Sequence, residues 1–304
     1  MPHVRATGLD IGYDVVGEGP PLLLLHGASS GGRLDFGHQL ARFRKDFTCY
    51  LPDARGHGAT RWDADDGFDY DWLLEDTTAF ADALGIGAFH AAGFSMGGGT
   101  AIGVASRWPE RVLTLVVMGI TPEREPRASV ARRLFSAERN KRDEPAWAEV
   151  LDRRHDPVQG EGGWERLLPV IGTAIGSQNL LGPGDLRRVT APTLVIAGDR
   201  DPFVPVDHAW GLKRQLPDAR LLIVPDCGHE VTARRPGIVN EALAGFYRST
   251  EAVAAARAER WAALVGALSP TDAATMADPA PPAADPAPPA AGEAPSAAPE
   301  ETAR

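Results

Sequence analysis

Cysteine, lysine and long apolar runs are all scarce in this 304-residue chain, and each scarcity excludes something. Only Cys49 and Cys227 are present. Two cysteines cannot build a disulfide framework, and neither sits in a CxxC or Cys/His spacing, so no metal site is expected. The expectation is two free thiols in a reducing compartment. Lysine occurs only at Lys45, Lys141 and Lys213. No Lys/Arg cluster offsets the formal net charge of −10, so nucleic acid is not an expected partner. The longest apolar runs are strand-sized, far short of a bilayer span, and no membrane association is expected. Residues 1–10 lack the basic-then-apolar run of a signal peptide, which makes the cytoplasm the expected location.

What remains is the make-up of an ordinary globular protein, long enough to bury a core without disulfides or metals. Short apolar runs at 22–25, 47–51, 89–93, 113–118, 193–197 and 221–224 read as buried strands. Segments with helical spacing at 70–84, 96–107, 207–215 and 237–247 flank them. Alternation of this kind predicts an α/β fold with a mostly parallel, doubly wound sheet covered on both faces. The alternation stops between residues 121 and 188, where helical segments at 129–139, 147–154 and 164–175 form an insertion. Residues 251–268 are Ala-rich and read as a terminal helix. Residues 269–304 are Pro, Ala and acidic residues with few large apolar side chains, and read as a disordered tail. The core is therefore assigned to 1–120 and 189–250. The sequence carries no signal for oligomeric state.

The sharpest chemical signal is Gly93-Phe94-Ser95-Met96-Gly97, a G-x-S-x-G between an apolar strand and a helix. Such a serine sits on a strained strand-to-helix turn, where side chains at Gly93 and Gly97 would collide. Its hydroxyl is then presented at a helix N-terminus, which favours developing negative charge. A serine hydroxyl needs a base and an orienting acid. His229 follows the run 221–224 and precedes the last of those helices, which makes it the candidate base. Asp199 and Asp201 compete as the acid, both in the loop after 193–197. Oxyanion donors are expected from the backbone N–H of Met96 and, in the turn after 22–25, of Ala28. Losing one such donor typically costs about 3–4 kcal/mol of transition-state stabilisation. His26 and His57 read as structural. In Asp53-Ala54-Arg55-Gly56-His57-Gly58 an Arg–Asp pair is expected to brace the turn, which lacks the Lys-Ser/Thr of a phosphate loop.

Taken together, Leu25-His26-Gly27, Asp53-x-Arg55-Gly56-x-Gly58, Gly93-Phe94-Ser95-Met96-Gly97-Gly98, Gly198-x-x-Asp201-x-x-x-Pro205 and Gly228-His229 resemble the α/β-hydrolase superfamily. The likeness spans about residues 5–250. It implies an α/β-hydrolase fold, selects Asp201 over Asp199 as the acid, and makes 121–188 a helical cap. Phe135, Trp147 and Trp164 of the cap are candidates for lining the substrate pocket. Serine as nucleophile separates the chain from the haloalkane dehalogenases and epoxide hydrolases, which use aspartate. Gly-Phe-Ser-Met-Gly-Gly-Gly is similar to cofactor-free haloperoxidases and esterases, although Ala28 stands where those carry an aromatic. Ser-Met-Gly-Gly is also similar to carbon–carbon bond hydrolases and enol-lactonases, but Glu230 stands where the former commonly place Trp. The resemblance implies a serine hydrolase that needs no cofactor and cleaves a small-molecule carboxylic ester or lactone. The alternatives are carbon–carbon bond hydrolysis of a diketone-like substrate and a small-molecule receptor that keeps the fold.

Overall fold

The structure, a computed structural model, describes residues 1–177 and 181–267; the tail at 269–304 lies outside them. The sheet comprises β1 (His3–Ala6), β2 (Leu9–Val16), β3 (Pro21–Leu25), β4 (Thr48–Pro52), β5 (Phe89–Phe94), β6 (Val112–Met118), β7 (Thr193–Gly198) and β8 (Ala219–Val224). Their lateral order is β1-β2-β4-β3-β5-β6-β7-β8. β2 runs antiparallel to β1 and β4, and the other pairs are parallel. The six parallel strands are those expected from the apolar runs. The antiparallel pair β1–β2 was not expected.

Both faces of the sheet are covered, and the period of two along each strand decides which helix a side chain meets. Leu22 and Leu24 pack with Phe36, Leu40 and Phe43 of α1 (Gly32–Phe43). Leu23 and Leu25 pack on the other face, with Leu74 and Phe80 of α2 (Tyr70–Ala83) and Ile102 and Val104 of α3 (Met96–Arg107). Between β6 and β7 come α4 (Arg127–Leu134), α5 (Ala137–Asp143), α6 (Pro145–Gln159), α7 (Gly163–Ser177) and α8 (Pro183–Arg188). The helix expected over 129–139 is two helices, because Ser136 leaves the helical path and its hydroxyl caps the Arg139 N–H at the start of α5.

The remaining helices are α9 (Val206–Gln215), α10 (Val231–Arg234) and α11 (Pro236–Ala267). Up to Ala267, the separate helices expected over 237–247 and 251–268 are one continuous α11, and residue 268 lies outside the described residues. Ser249 and Thr250, which mark the expected break, instead return their hydroxyls to the Phe246 carbonyl inside the helix. The distal half is held to the body by Arg257, which donates to the Val112 and Pro109 carbonyls. Arg111 adds a cation–π contact 5.0 Å from the Trp261 ring. Among the described residues no helix is long and apolar enough to cross a membrane.

A cavity of about 600 Å³ opens at the amino-terminal ends of the strands, where Phe47, His90, Leu113 and Tyr247 line it. His90 is buried against the Phe47 and Tyr247 rings, with Nδ1 2.7 Å from the Thr114 hydroxyl. Burial lowers its pKa to about 4, so the folded state holds it neutral while the unfolded chain takes up a proton below about 6.5. The folded pKa is the lower one, so stability from this residue is complete above pH 6.5. It is lost as pH falls toward 4, by on the order of 3 kcal/mol. Urea midpoints measured across this window should fall with pH, and His90→Gln should flatten the slope. An unchanged slope would contradict the assignment.

Candidate active site

The turn from β5 into α3 carries the serine. Ser95 has φ +51° and ψ −115°, a strained backbone for a side-chain-bearing residue. Three contacts impose it. A Cβ at Gly93 would run into the Gly97 carbonyl, and one at Gly97 into the Leu25 carbonyl, so both positions must be glycine. The Ser95 N–H donates to the Met118 carbonyl at 2.8 Å, tying the turn to the end of β6. Met96 begins α3, and the first N–H groups of a helix have no partner within it.

The loops after β7 and β8 bring the other two groups to that turn. His229 Nε2 lies 2.9 Å from Ser95 Oγ, and His229 Nδ1 lies 2.8 Å from Asp201 Oδ2. The Asp201 side chain is fully buried, and its Oδ1 accepts the Phe203 and Val204 N–H groups at 2.8 and 3.2 Å. This carboxylate is fixed in place with one oxygen aimed at the imidazole. Asp199 never reaches His229. It is exposed and accepts the Cys227 N–H at 3.0 Å, a bond that holds its pKa below the usual carboxylate value and braces the loop bearing His229. Two neighbours of the imidazole have no sequence motif of their own. Phe203 lies 4.5 Å from its ring, and Gly119 has φ +64° and would strike the ring with any side chain.

Ala28 lies in the loop between β3 and α1, between two pinned amides. The Gly27 N–H donates to Asp35 at 2.7 Å, and the Ser29 N–H donates to His57 Nε2 at 3.0 Å. His57 must then be neutral, with its Nδ1–H donating to the Arg55 carbonyl at 3.0 Å. Burial, with the neighbouring His26 and His155, pushes its pKa well below the ordinary value. His26 accepts the Ala54 N–H at 3.0 Å and is likewise engaged structurally. From the insertion, Arg154 donates to the Ser29 carbonyl and His155 lies 3.4 Å from it. The Arg–Asp brace at 53–58 takes a different partner from the one in its own motif. Arg55 pairs with Asp76 of α2 at 2.8 Å, while Asp53 accepts the Ala59 N–H.

Ser95, Met96 and His229 open on a pocket walled by Tyr70, Ile120, Arg127, Phe135, Ile175 and Phe203. Of the three aromatic candidates from the insertion, only Phe135 lines it. Trp164 is fully buried among Ala148, Leu151 and Leu168 and donates its indole N–H to Asp152, so it is core of the insertion. Trp147 is 39% exposed and stacks under Arg154. Sequence reasoning did not single out Tyr70 or Arg127. Cys49 and Cys227 are free and buried, and burial raises the Cys49 thiol pKa to about 11, which leaves it unreactive. Among the described residues no cluster of His, Cys, Asp or Glu is arranged to hold a metal ion.

This sheet and this serine turn define an α/β-hydrolase, and comparison with known proteins agrees. Residues 22–242 match the alpha/beta hydrolase family, and the chain belongs to it. The chain is 29% identical to human serine hydrolase BPHL over 241 residues, covering 76% of this chain and 80% of that protein. It is 32% identical to the pimeloyl-[acyl-carrier protein] methyl ester esterase of Nitrosomonas europaea, covering 72% of this chain and 92% of the esterase. Among solved structures, Est816, described as an N-acyl homoserine lactone degrading enzyme, superposes with a TM-score of 0.66. It is 28% identical and is matched over 81% of this chain and all of its own.

The contrast between the two aspartates is measurable as the rate at which a fluorophosphonate labels Ser95. Asp201→Asn should slow labelling by about 10³- to 10⁴-fold, the loss seen when a triad aspartate no longer sets the histidine tautomer. Asp199→Asn should slow it by less than about tenfold, through loss of a single loop bond. Equal losses in the two variants would show that Asp201 has no special place.

Proposed function

We propose that this protein is a serine hydrolase that cleaves a small carboxylic ester or lactone through an acyl-enzyme on Ser95. The observation that carries the reading is the continuous chain of hydrogen-bonding atoms Ser95 Oγ, His229 and Asp201, with separations of 2.9 and 2.8 Å. Asp201 is placed to accept from Nδ1–H, which leaves Nε2 as the basic nitrogen facing the serine. Ser95 Oγ attacks the carbonyl carbon while Nε2 takes its proton. Asp201 stabilises the imidazolium that results. The oxyanion accepts from the Met96 and Ala28 N–H groups, aided by the positive end of the α3 dipole. Collapse breaks the bond to the alkoxy oxygen, which takes the proton from Nε2. A lactone's leaving oxygen stays tethered to the acyl group. Water then gives a proton to Nε2 and attacks the acyl carbon on Ser95; collapse breaks the bond to Ser95 Oγ, Nε2 returns its proton to that oxygen, and the carboxylic acid leaves.

Similarity to a methyl ester esterase and to a lactone-degrading enzyme supports the ester and lactone classes. The helices over 121–188 act in this reading as the cap that shapes the pocket, with Phe135 as a wall. The test is a substrate panel of aryl esters, aliphatic methyl esters, lactones and a ring-cleavage dienoate. Ser95→Ala should lose turnover of every ester and lactone by at least about 10⁴-fold while keeping the thermal transition of the parent. Retention of most activity in that variant would remove the assignment, and selective turnover of the dienoate would move the reading to carbon–carbon bond hydrolysis.

A further inference from the structure

In the loop that carries Ala28, the peptide planes around it are held one by one. The Gly27 N–H donates to Asp35, the Ser29 N–H to His57, and the Ser30 N–H to the Gly27 carbonyl at 3.3 Å. The direction of the Ala28 N–H is set from the far side of its own plane. In a trans peptide the carbonyl and the N–H point opposite ways, so whatever holds the Gly27 oxygen aims the Ala28 N–H.

Two donors hold that oxygen. His26 Nδ1 lies 2.7 Å from it, and carries the proton because His26 Nε2 accepts the Ala54 N–H. The second donor is the Ser30 N–H, whose peptide plane ends in the Ser29 carbonyl. That carbonyl is the acceptor of the Arg154 guanidinium, reached from α6 of the insertion, and His155 lies 3.4 Å from it.

Ser29 has φ +55°, a left-handed backbone that costs energy for a residue with a side chain. Its N–H is tied to His57, and its hydroxyl donates to the Ala28 carbonyl at 2.7 Å. The Ser30 hydroxyl, on Asp35, anchors a side chain and leaves the Ser29–Ser30 plane able to turn. Turning that plane would relieve the strain and withdraw the Ser30 N–H from the Gly27 oxygen. A charge-assisted bond from Arg154 opposes the turn. The guanidinium itself stacks on the Trp147 ring, 5.4 Å from its centroid. Arg154 does not line the pocket beside Ser95, so it acts on the reaction only through the loop.

We propose that Arg154 is a positioning residue for the reaction: by holding the Ser29 carbonyl it keeps the Ala28 N–H aimed at the oxyanion. Turnover then requires α6 to stay seated on the loop. This inference rests on the serine-hydrolase reading above, with Ala28 as one of its two oxyanion donors.

The experiment measures kcat and KM for an aryl ester, and inhibition by an aryl trifluoromethyl ketone, using the full chain. Ser95 Oγ adds to the ketone carbon, its proton passes to His229 Nε2, and the ketone oxygen becomes the oxyanion. Affinity for the ketone therefore reports the aim of the Ala28 N–H without a leaving group. Arg154→Met should lower kcat by about ten- to a hundredfold, short of the roughly 10²- to 10³-fold loss when a donor is removed outright. KM should stay within about twofold, and ketone affinity should fall in parallel with kcat. Arg154→Lys should recover part of the loss. Arg153→Met, which breaks only the exposed pair with Glu149 on the same helix, should match the parent. Should Arg154→Met fold poorly, Trp147→Leu removes the ring under the guanidinium at a partly exposed position. It should lower kcat by about two- to fivefold at unchanged KM.

A folded Arg154→Met with parental kcat and ketone affinity, or with its loss confined to KM, overturns the positioning role and leaves the hydrolase reading standing. So does an equal loss in Arg153→Met, or parental kcat in Trp147→Leu where Arg154→Met does not fold. A parent that neither labels with fluorophosphonate nor cleaves any ester overturns the hydrolase reading itself.

Discussion

The strained backbone at Ser95 is the constraint on which the rest of the site depends. A residue with a side chain at φ +51° costs on the order of 1–3 kcal/mol, and it persists only because its surroundings allow nothing else. Gly93 and Gly97 give up their side chains so that α3 can close onto β5 and the end of β3, and the Met118 carbonyl takes the Ser95 N–H. β5 lies between β3 and β6. The same carboxyl edge therefore delivers the Ala28 loop on one side and Gly119 on the other. The loops after β7 and β8 supply Asp201 and His229 from the next strands along. A parallel sheet concentrates its loops along one edge, and here those after β6, β7 and β8 meet at the serine turn after β5.

Much of this was legible because the relevant signals are local. Six apolar runs mark the parallel strands, and the helix expected over 96–107 has the observed limits. What escaped was less local. β1 and β2 carry mixed polar and apolar residues at the exposed edge of the sheet, so they lack the continuous apolar run of a buried strand. α1 starts at Gly32 after Gly31, without a side-chain cap to announce it. At Ser249 and Thr250 the opposite error arose, since residues that commonly mark breaks were absorbed by bonding back into the helix. In the site, the choice between Asp199 and Asp201 rested on resemblance. Geometry supplies a separate reason: one carboxylate is buried against the imidazole, while the other holds the loop that carries it.

The insertion was hardest to read, because amphipathic helices do not disclose which apolar side chains face their own core and which face a ligand. Phe135, Trp147 and Trp164 look alike in sequence, yet one lines the pocket, one lies at the surface and one is fully buried. Arg127 escaped for a complementary reason. Arginines are abundant throughout this chain, and only burial separates this one from those in solvent.

The Ser29 carbonyl, gripped by Arg154 and close to His155, has a consequence for modularity. The insertion is one contiguous stretch of chain between β6 and β7, which invites its exchange between family members. The grip makes such a transplant incomplete. An incoming segment lacking counterparts of Arg154 and His155 would leave the loop beside Ala28 without its outer support. The requirement falls on α6, the helix that carries both residues.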